Sequence, residues 1–206
     1  MNLEKLFQMQ KELDDRILAE HPIQEGEDRL AKKILALQVE LGELANCWRG
    51  FKYWSNDQKP RTEELGECPL CKGTGDLGAV WAENCIECGG TGKVVVKNPL
   101  LEEYVDCLHF ILSIGNDLGF KHTICPYAYL EDTTMLFIEI SYKASDLADS
   151  VCNRDQMLYG YAEDTYYDLF RCFIKLGKKL GFTWEQVEHA YYQKNKENFR
   201  RQEEGY

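Results

Sequence analysis

Apolar residues recur every three or four positions along most of the chain, which is the spacing of one face of an α-helix. This pattern predicts six helices, at approximately residues 3–18, 30–48, 100–118, 133–152, 155–180 and 183–202. Gly119 is typical of a helix C-cap and Thr183 of an N-cap. The predicted fold is therefore an all-α helical bundle.

The helical pattern is interrupted between residues 55 and 96, a stretch that contains Pro60, Pro69 and seven glycines. Strand-like sequence is confined to this stretch, chiefly at Val94-Val95-Val96. A chain of 206 residues is long enough for one sizeable α domain but short for two. We therefore expect one domain over residues 1–206, with a small module inserted at residues 66–97.

Two copies of the pattern Cys-x-x-Cys-x-Gly-x-Gly lie in the insert, one beginning with Cys68 and Cys71 and the other with Cys85 and Cys88. Each copy can form a knuckle in which the glycines turn backbone amides toward the thiolate sulfurs. Two knuckles complete a tetrahedral four-cysteine site. The pattern resembles the zinc repeats of J-domain co-chaperones and predicts one structural Zn²⁺, with an iron–sulfur centre as the alternative.

The chain carries a net charge of −11 at pH 7 and has a pI near 4.9. This balance repels the phosphates of long nucleic acids, so we expect no direct nucleic-acid binding. No stretch approaches the roughly 20 uninterrupted apolar residues of a membrane span, and the N-terminal segment is amphipathic, unlike a signal peptide. These features predict a protein of the cytoplasm, or of the host cytoplasm for a phage-encoded chain.

Two pairs of acidic residues stand out among the predicted helices. Glu40 and Glu43 lie three positions apart, as do Glu103 and Asp106, so that each pair shares a helix face. Both pairs have apolar neighbours, and carboxylates that face each other between helices repel unless cations bridge them. Carboxylate oxygens are hard ligands suited to magnesium. The alternative is that they are ordinary surface acids, since the chain contains 35 Asp and Glu residues.

The two pairs resemble the ExxE and ExxD signature of the MazG-like, all-α nucleoside triphosphate pyrophosphatases, and the flanking sequence is similar to the dimeric dUTPases. Five stretches carry the resemblance: residues 40–46, 51–55, 101–110, 112–115 and 194–206. The resemblance covers nearly the whole chain except the cysteine insert. The insert departs from the family pattern because it lengthens the segment between the two acidic pairs.

The resemblance implies a dUTP diphosphatase, a magnesium-dependent hydrolase that converts dUTP into dUMP and pyrophosphate and so limits uracil incorporation into DNA. It implies two or three Mg²⁺ ions per site, bound by Glu40, Glu43, Glu103 and Asp106. Glu43, or else Glu40, would orient or deprotonate the attacking water. The alternatives are a related pyrophosphatase for dCTP or a broader set of nucleotides, and a non-enzymatic zinc-knuckle adaptor.

The resemblance also implies which residues bind the nucleotide. Trp54, His109 and Phe110 would line the uracil pocket, with Gln10 as a weaker candidate for hydrogen bonds to the base. Contacts to the rest of the nucleotide are assigned to Lys52, Lys194, Asn198, Arg201 and Tyr206. Otherwise the aromatics would be core residues and the C-terminal cations a solvated helix end.

A homodimer is expected from the resemblance to dimeric enzymes. A second argument comes from the segment 166–174, whose apolar side chains exceed what one exposed helix face normally carries. These side chains are Tyr166, Tyr167, Phe170, Phe173 and Ile174. The other expected partner is a small-molecule nucleotide, dUTP.

Overall fold

The computed structural model describes residues 2–78, 84–120, 131–152 and 156–205. It contains the helices α1 (Leu3–Glu20), α2 (Arg29–Trp48), α3 (Pro99–Leu118), α4 (Thr133–Cys152), α5 (Gln156–Lys179) and α6 (Trp184–Glu203). All six predicted helices are present, and the prediction of an all-α bundle is confirmed. None of the helices in the described residues is both long and apolar enough to cross a membrane.

Side-chain caps determine where the helices that carry the acidic pairs begin. The Asp28 side chain accepts a hydrogen bond from the backbone amide of Ala31 at the start of α2. At the start of α3, Asn98 accepts from the amide of Leu101. Gly119 ends α3 with φ of 76°, as its predicted role as a C-cap requires.

α3 is the central helix of the bundle, because it packs against α1, α2, α5 and α6. Its side chains are buried on several faces, and two tyrosines add hydrogen bonds to their packing. The Tyr104 hydroxyl donates to the backbone oxygen of Phe173, and the Tyr166 hydroxyl donates to that of Ile111. Both bonds join α3 to α5 inside the core. The helix that carries Glu103 and Asp106 is therefore held rigidly.

The apolar residues of α5 that suggested a dimer surface belong to this core. Tyr166, Phe170, Phe173 and Ile174 expose no more than 2% of their surface. The sequence argument treated α5 as a surface helix, whereas it is enclosed by α3, α4 and the aromatic side chains between them. This face therefore cannot form a dimer interface. The expectation of a homodimer then depends on other observations.

A two-stranded antiparallel sheet closes the base of the insert. Its strands are β1 (Glu64–Glu67) and β2 (Lys93–Lys97). β2 coincides with the predicted valine-rich strand, whereas β1 has the sequence Glu-Leu-Gly-Glu and carries no β-branched residue that would have indicated it. Gly66 allows the close pairing, because a Cβ at this position would lie 2.6 Å from Val96 Cγ1.

Candidate metal centres and adjoining cleft

Three of the four predicted carboxylate ligands converge between α2 and α3. Glu40, Glu43 and Glu103 each offer an oxygen, and these oxygens lie within 4.8 Å of one another. The two helices come together because buried leucines of α2 pack against the buried face of α3. The glutamates stand at the edge of that apolar contact, so packing positions them.

The electrostatics of this carboxylate cluster favour a bound cation. Burial raises the pKa of Glu103 to about 7, and the charges of Asp106, Glu43 and Glu40 add to the rise. Burial is also the main cause that raises the pKa of Glu40, and the charges of Asp106 and Glu43 raise it further. Part of the cluster therefore retains protons near neutral pH, and a divalent cation would replace them.

Asp106, the fourth predicted ligand, is not part of this set and forms an ion pair with a lysine. Its Oδ2 lies 2.6 Å from the Nζ of Lys194 on α6, which also lies 3.5 Å from Glu102 Oε1. Burial raises the pKa of Asp106 although Lys194 opposes the rise. The sequence gives no sign of this ion pair, because its partners are 88 positions apart.

A cleft of about 1210 Å³ runs between α1, α2, α3 and α6, beginning at Glu40 and Asp106. Its volume is of the order that a nucleotide requires. Six of the residues assigned to substrate line it: Gln10, His109, Phe110, Lys194, Asn198 and Arg201. The structure thus brings the two chemically different groups of predicted residues, base-binding and phosphate-binding, to a single cavity.

A buried hydrogen-bond network forms one wall of this cleft. Gln10 Oε1 accepts from the Tyr191 hydroxyl at 2.9 Å and lies 2.7 Å from His109 Nδ1. Gln10 Nε2 donates to Asp14 Oδ1, and Ser113 donates to Asp14 Oδ2. The rings of His109 and Tyr191 are stacked, with their centroids 4.2 Å apart. The network joins α1, α3 and α6.

The network also sets the protonation of His109. Burial is the main cause that lowers the pKa of His109 to about 3, and the charge of Lys194 adds to this effect. The ring is therefore neutral. Because Gln10 Oε1 is an acceptor, the ring proton lies on Nδ1. Nε2 is then an acceptor, and within the described residues it has no hydrogen-bond partner. His109 is therefore not a fully satisfied core histidine.

Sequence reasoning missed Tyr191, Asp14 and Ser113. Asp14 follows Gln10 by four positions, and Ser113 follows His109 by four. Helical spacing could have identified both once Gln10 and His109 were named. Tyr191 lies three positions before Lys194 and shares its face of α6, so the same argument applies to it.

Two assigned residues do not join the cleft in the described structure. Trp54 is 65% exposed and makes edge contacts with Phe51 and Tyr53 in the segment after α2. Lys52 extends its Nζ over the Phe51 ring, 5.5 Å from the centroid. Neither residue lines the cavity. Tyr206 lies outside the described residues.

The four cysteines of the insert also converge, and they form a second cluster. Their sulfurs lie within 4.8 Å of one another, with Cys68 and Cys85 as well as Cys71 and Cys88 separated by 3.7 Å. None of them forms a disulfide. This cysteine cluster is mostly buried and makes its own small core with Val94.

The glycines of the two repeats shape the knuckles as the pattern predicts. The amides of Gly75 and Gly92 donate to the sulfurs of Cys71 and Cys88, each at 3.2 Å. Gly75 and Gly92 have φ of 79° and 71°, and a Cβ on either would lie within 2.4 Å of a carbonyl oxygen of the other repeat. Burial would raise the pKa of Cys88, but hydrogen bonds from backbone amides hold it below its usual value.

Comparison with known families adds one finding. A family model described as dUTPase matches residues 2–67 and 91–206. The matched ranges include every residue of the carboxylate cluster and of the cleft, and they omit residues 68–90, which carry all four cysteines of the insert. No curated protein matches the chain.

Proposed function

Because this chain belongs to the dUTPase family, we propose that the carboxylate cluster between α2 and α3 is the magnesium site at which it hydrolyses dUTP. Family membership makes the chain a nucleoside triphosphate pyrophosphohydrolase that acts on dUTP. The observation that carries the placement is the convergence of Glu40, Glu43 and Glu103, because Glu40 also lines a cleft that holds the cationic face of α6.

The donor set fits magnesium. All three groups are carboxylates, with no thiolate or imidazole within the set, and hard oxygen ligands select magnesium over softer metals. Asp106 supplies a fourth carboxylate at the same end of the cleft. Two or three bound Mg²⁺ ions would neutralise the triphosphate and lower the pKa of a bound water.

The protein groups around this cluster divide the remaining tasks. Glu43 is the exposed member, so it is the better placed to take a proton from the attacking water, with Glu40 as the other candidate. Lys194, Asn198 and Arg201 recur at spacings of four and three along α6 and line the cleft, where they bind phosphate oxygens. Lys52 and Tyr206 stay predictions from the resemblance.

Base selection is assigned to the buried network. Gln10 and His109 are the polar groups, and Phe110, partly buried beside them, offers a ring face for stacking. Nε2 of His109 is a buried acceptor with no partner among the described residues, so it would match the N3–H donor of uracil and oppose the N3 acceptor of cytosine. Such a mismatch leaves buried polar groups unpaired, so dUTP should be preferred over dCTP by about 10²-fold or more.

A substrate panel tests this function. Purified protein with Mg²⁺ should release pyrophosphate from dUTP, and kcat/KM for dCTP and dTTP should be lower by about 10²-fold. Phe110→Ala should raise KM for dUTP, whereas Trp54→Ala affects KM only if the segment after α2 closes over the base. Absence of turnover would favour the zinc-knuckle adaptor, and equal use of dCTP would favour the related pyrophosphatase.

The cysteine cluster is proposed to bind one structural Zn²⁺. Four thiolates at this separation satisfy a tetrahedral ion and leave no open position for a substrate or water. The amides of Gly75 and Gly92 stabilise the negative charge on two of the sulfurs. The proposed module extends over residues 66–97 and leaves the chemistry to the carboxylate cluster.

A homodimer is proposed through a face different from the one that the sequence suggested. Leu35 and Val39 on α2 and Ile138 and Tyr142 on α4 are each more than half exposed. α2 packs beside α4, so these side chains contribute to neighbouring surfaces. Light scattering should give about twice the 23.9 kDa chain mass, and Val39→Glu should reduce it; a wild-type mass near 23.9 kDa would refute the dimer.

A further inference from the structure

The ammonium group of Lys194 contacts Asp106, which is a predicted metal ligand. It is 2.6 Å from Asp106 Oδ2 and 3.5 Å from Glu102 Oε1, both on α3. The side chains of Lys194 and Asp106 expose only 16% and 17% of their surface, so water screens the pair weakly. This is a strong local contact between α6 and α3, in contrast to the surface ion pairs along the outer helices.

The same contact occupies an oxygen of Asp106, which the sequence motif groups with the other carboxylates. Glu40, Glu43 and Glu103 share one small volume, and Asp106 is not part of that set. Glu40, Asp106 and Lys194 nevertheless line the same end of the cleft. A divalent ion that binds Asp106 must therefore compete with the lysine for the carboxylate.

Lys194 can move away without leaving Glu102, its second partner, unpaired. Glu102 Oε2 also lies 2.8 Å from Lys97 Nζ, which projects from the end of β2. Glu102 therefore keeps a cation when Lys194 moves, and the cost of the movement falls on Asp106 alone. The direction open to the freed ammonium is the cleft, which Asn198 and Arg201 of the same helix already line.

We propose that Lys194 is a resident cation that holds Asp106 in the metal-free protein, and that metal binding at Asp106 releases its ammonium to the triphosphate. The proposal rests on the proposed function, because it assumes that the metal and the phosphates meet at this end of the cleft. Magnesium would then bind Asp106, and the triphosphate of dUTP would bind Lys194. Because either event breaks the ion pair between these two residues, each ligand should increase the affinity for the other.

Because of this coupling, Lys194→Met should change the affinities for Mg²⁺ and for a dUTP analogue in opposite directions. Methionine keeps the apolar stem and removes the charge, so Mg²⁺ no longer competes for Asp106. Mg²⁺ should bind the nucleotide-free variant about fivefold or more tightly than it binds the wild type, whereas a non-hydrolysable dUTP analogue should bind more weakly. A lysine that serves only as a phosphate ligand would weaken analogue binding and leave Mg²⁺ affinity unchanged.

Titration calorimetry of metal-depleted, zinc-retaining protein measures both affinities without turnover. Lys97→Met is the matched control, because it removes the same charge beside Glu102 without touching Asp106. Its Mg²⁺ affinity should be equal to or below that of the wild type, since Glu102 then depends on Lys194 alone. Equal or weaker Mg²⁺ binding by Lys194→Met would overturn the proposal. This readout does not depend on dUTP hydrolysis, so failure of the proposed function is recognised separately.

A second variant tests the pair from its other side. Asp106→Asn frees Lys194 without metal, so the dUTP analogue should bind this variant in the absence of Mg²⁺ several-fold more tightly than it binds the wild type. Glu102→Gln removes the same charge from the neighbouring position and should give a smaller gain. Metal-free binding that is unchanged in Asp106→Asn would contradict the proposal even if Lys194→Met did not fold.

Discussion

The four cysteines of the insert and the three glutamates between α2 and α3 each gather their ligand atoms within 4.8 Å, but different parts of the chain create the two arrangements. The cysteine cluster is built from two local repeats, whose glycines turn backbone amides onto the sulfurs. The glutamates come from two helices that a core of apolar side chains brings together. Local turns make the first cluster, and tertiary packing makes the second.

The two clusters also differ in how completely each could satisfy a metal ion. Four thiolates close a tetrahedral site, as a structural ion requires. Three carboxylates leave an octahedral ion with open positions for water and for phosphate oxygens. The cysteine cluster is mostly buried, whereas Glu43 is exposed beside the cleft. The comparison predicts that the first cluster stabilises structure and that the second performs the reaction.

A short connection links the two regions. The amide of Arg61 donates to the backbone oxygen of Cys47 at the end of α2, and the carbonyl of Arg61 accepts from Leu100 at the start of α3. β2 ends at Lys97 and α3 begins at Pro99, so one residue separates the hairpin from the helix that carries Glu103. Loss of zinc should therefore affect catalysis indirectly, through the position of α3.

The largest expected effect comes from removing the thiolates. Cys85→Ser together with Cys88→Ser should abolish zinc binding, which contributes on the order of 10 kcal/mol to folding in small zinc modules. The insert should unfold and become sensitive to protease, while the far-ultraviolet circular dichroism of the helices persists. dUTP turnover should fall by about tenfold or less.

Cys47→Ser is the control for this experiment, since Cys47 lies outside the cysteine cluster and its replacement should leave zinc content unchanged. A double variant that retained a full equivalent of zinc would show that the four cysteines are not the zinc ligands.

The next effect comes from the carboxylates. Glu43→Gln keeps size and removes the charge of a ligand or base, so kcat/KM for dUTP should fall by about 10²-fold or more, equivalent to about 2.7 kcal/mol of transition-state stabilisation. Metal analysis of the same variant should still find one zinc. Near-normal turnover would remove Glu43 from the catalytic assignment.

A smaller effect concerns stability and pH. The folded pKa of Glu103 is about 7, above its ordinary value of 4.5. Between these values the folded protein retains a proton that the unfolded chain releases, so stability falls as pH rises. Without metal, Glu103→Gln should be more stable than the wild type at pH 8 by on the order of 1 kcal/mol after allowance for solvent screening, or about 2–4 °C in Tm.

This gain should vanish below about pH 4.5, where glutamate is protonated in both states. Glu102→Gln is the matched control on the same helix. Burial would raise the pKa of Glu102, but hydrogen bonding and charge from Lys97 and Lys194 lower it, so its carboxylate stabilises the folded state above its ordinary pKa. Glu102→Gln should therefore lower Tm at pH 8, and a rise in Tm would contradict this electrostatic account.

The contrast between the clusters also explains what could be predicted from the sequence. Helical periodicity and caps such as Thr183, which forms a capping box with Gln186, predict local structure directly. The cysteine cluster was equally predictable, because each knuckle is encoded within eight residues. The pairing of Asp106 with Lys194 was not, since it depends on how α6 packs against α3.

Two other differences have related causes. Tyr166 and Phe170 were assigned to a surface because periodicity shows that a face is apolar but not what covers it. Trp54 was assigned to the base pocket by resemblance alone, and its position depends on an extended segment whose course helical spacing does not determine. His109 lines the cleft, and its assignment to the uracil pocket stays a prediction; its partners Tyr191 and Gln10 come from two other helices, so helical spacing alone did not indicate them.

Selective metal removal from the wild-type protein tests most directly whether the cysteine cluster is structural and the carboxylate cluster catalytic. Brief treatment with a chelator that removes weakly bound Mg²⁺ should abolish dUTP hydrolysis while one zinc per chain remains, and Mg²⁺ alone should restore the full rate. Hydrolysis that persists in this zinc-only protein, or a rate that Zn²⁺ restores and Mg²⁺ does not, would contradict the assignment of the carboxylate cluster as the catalytic magnesium site.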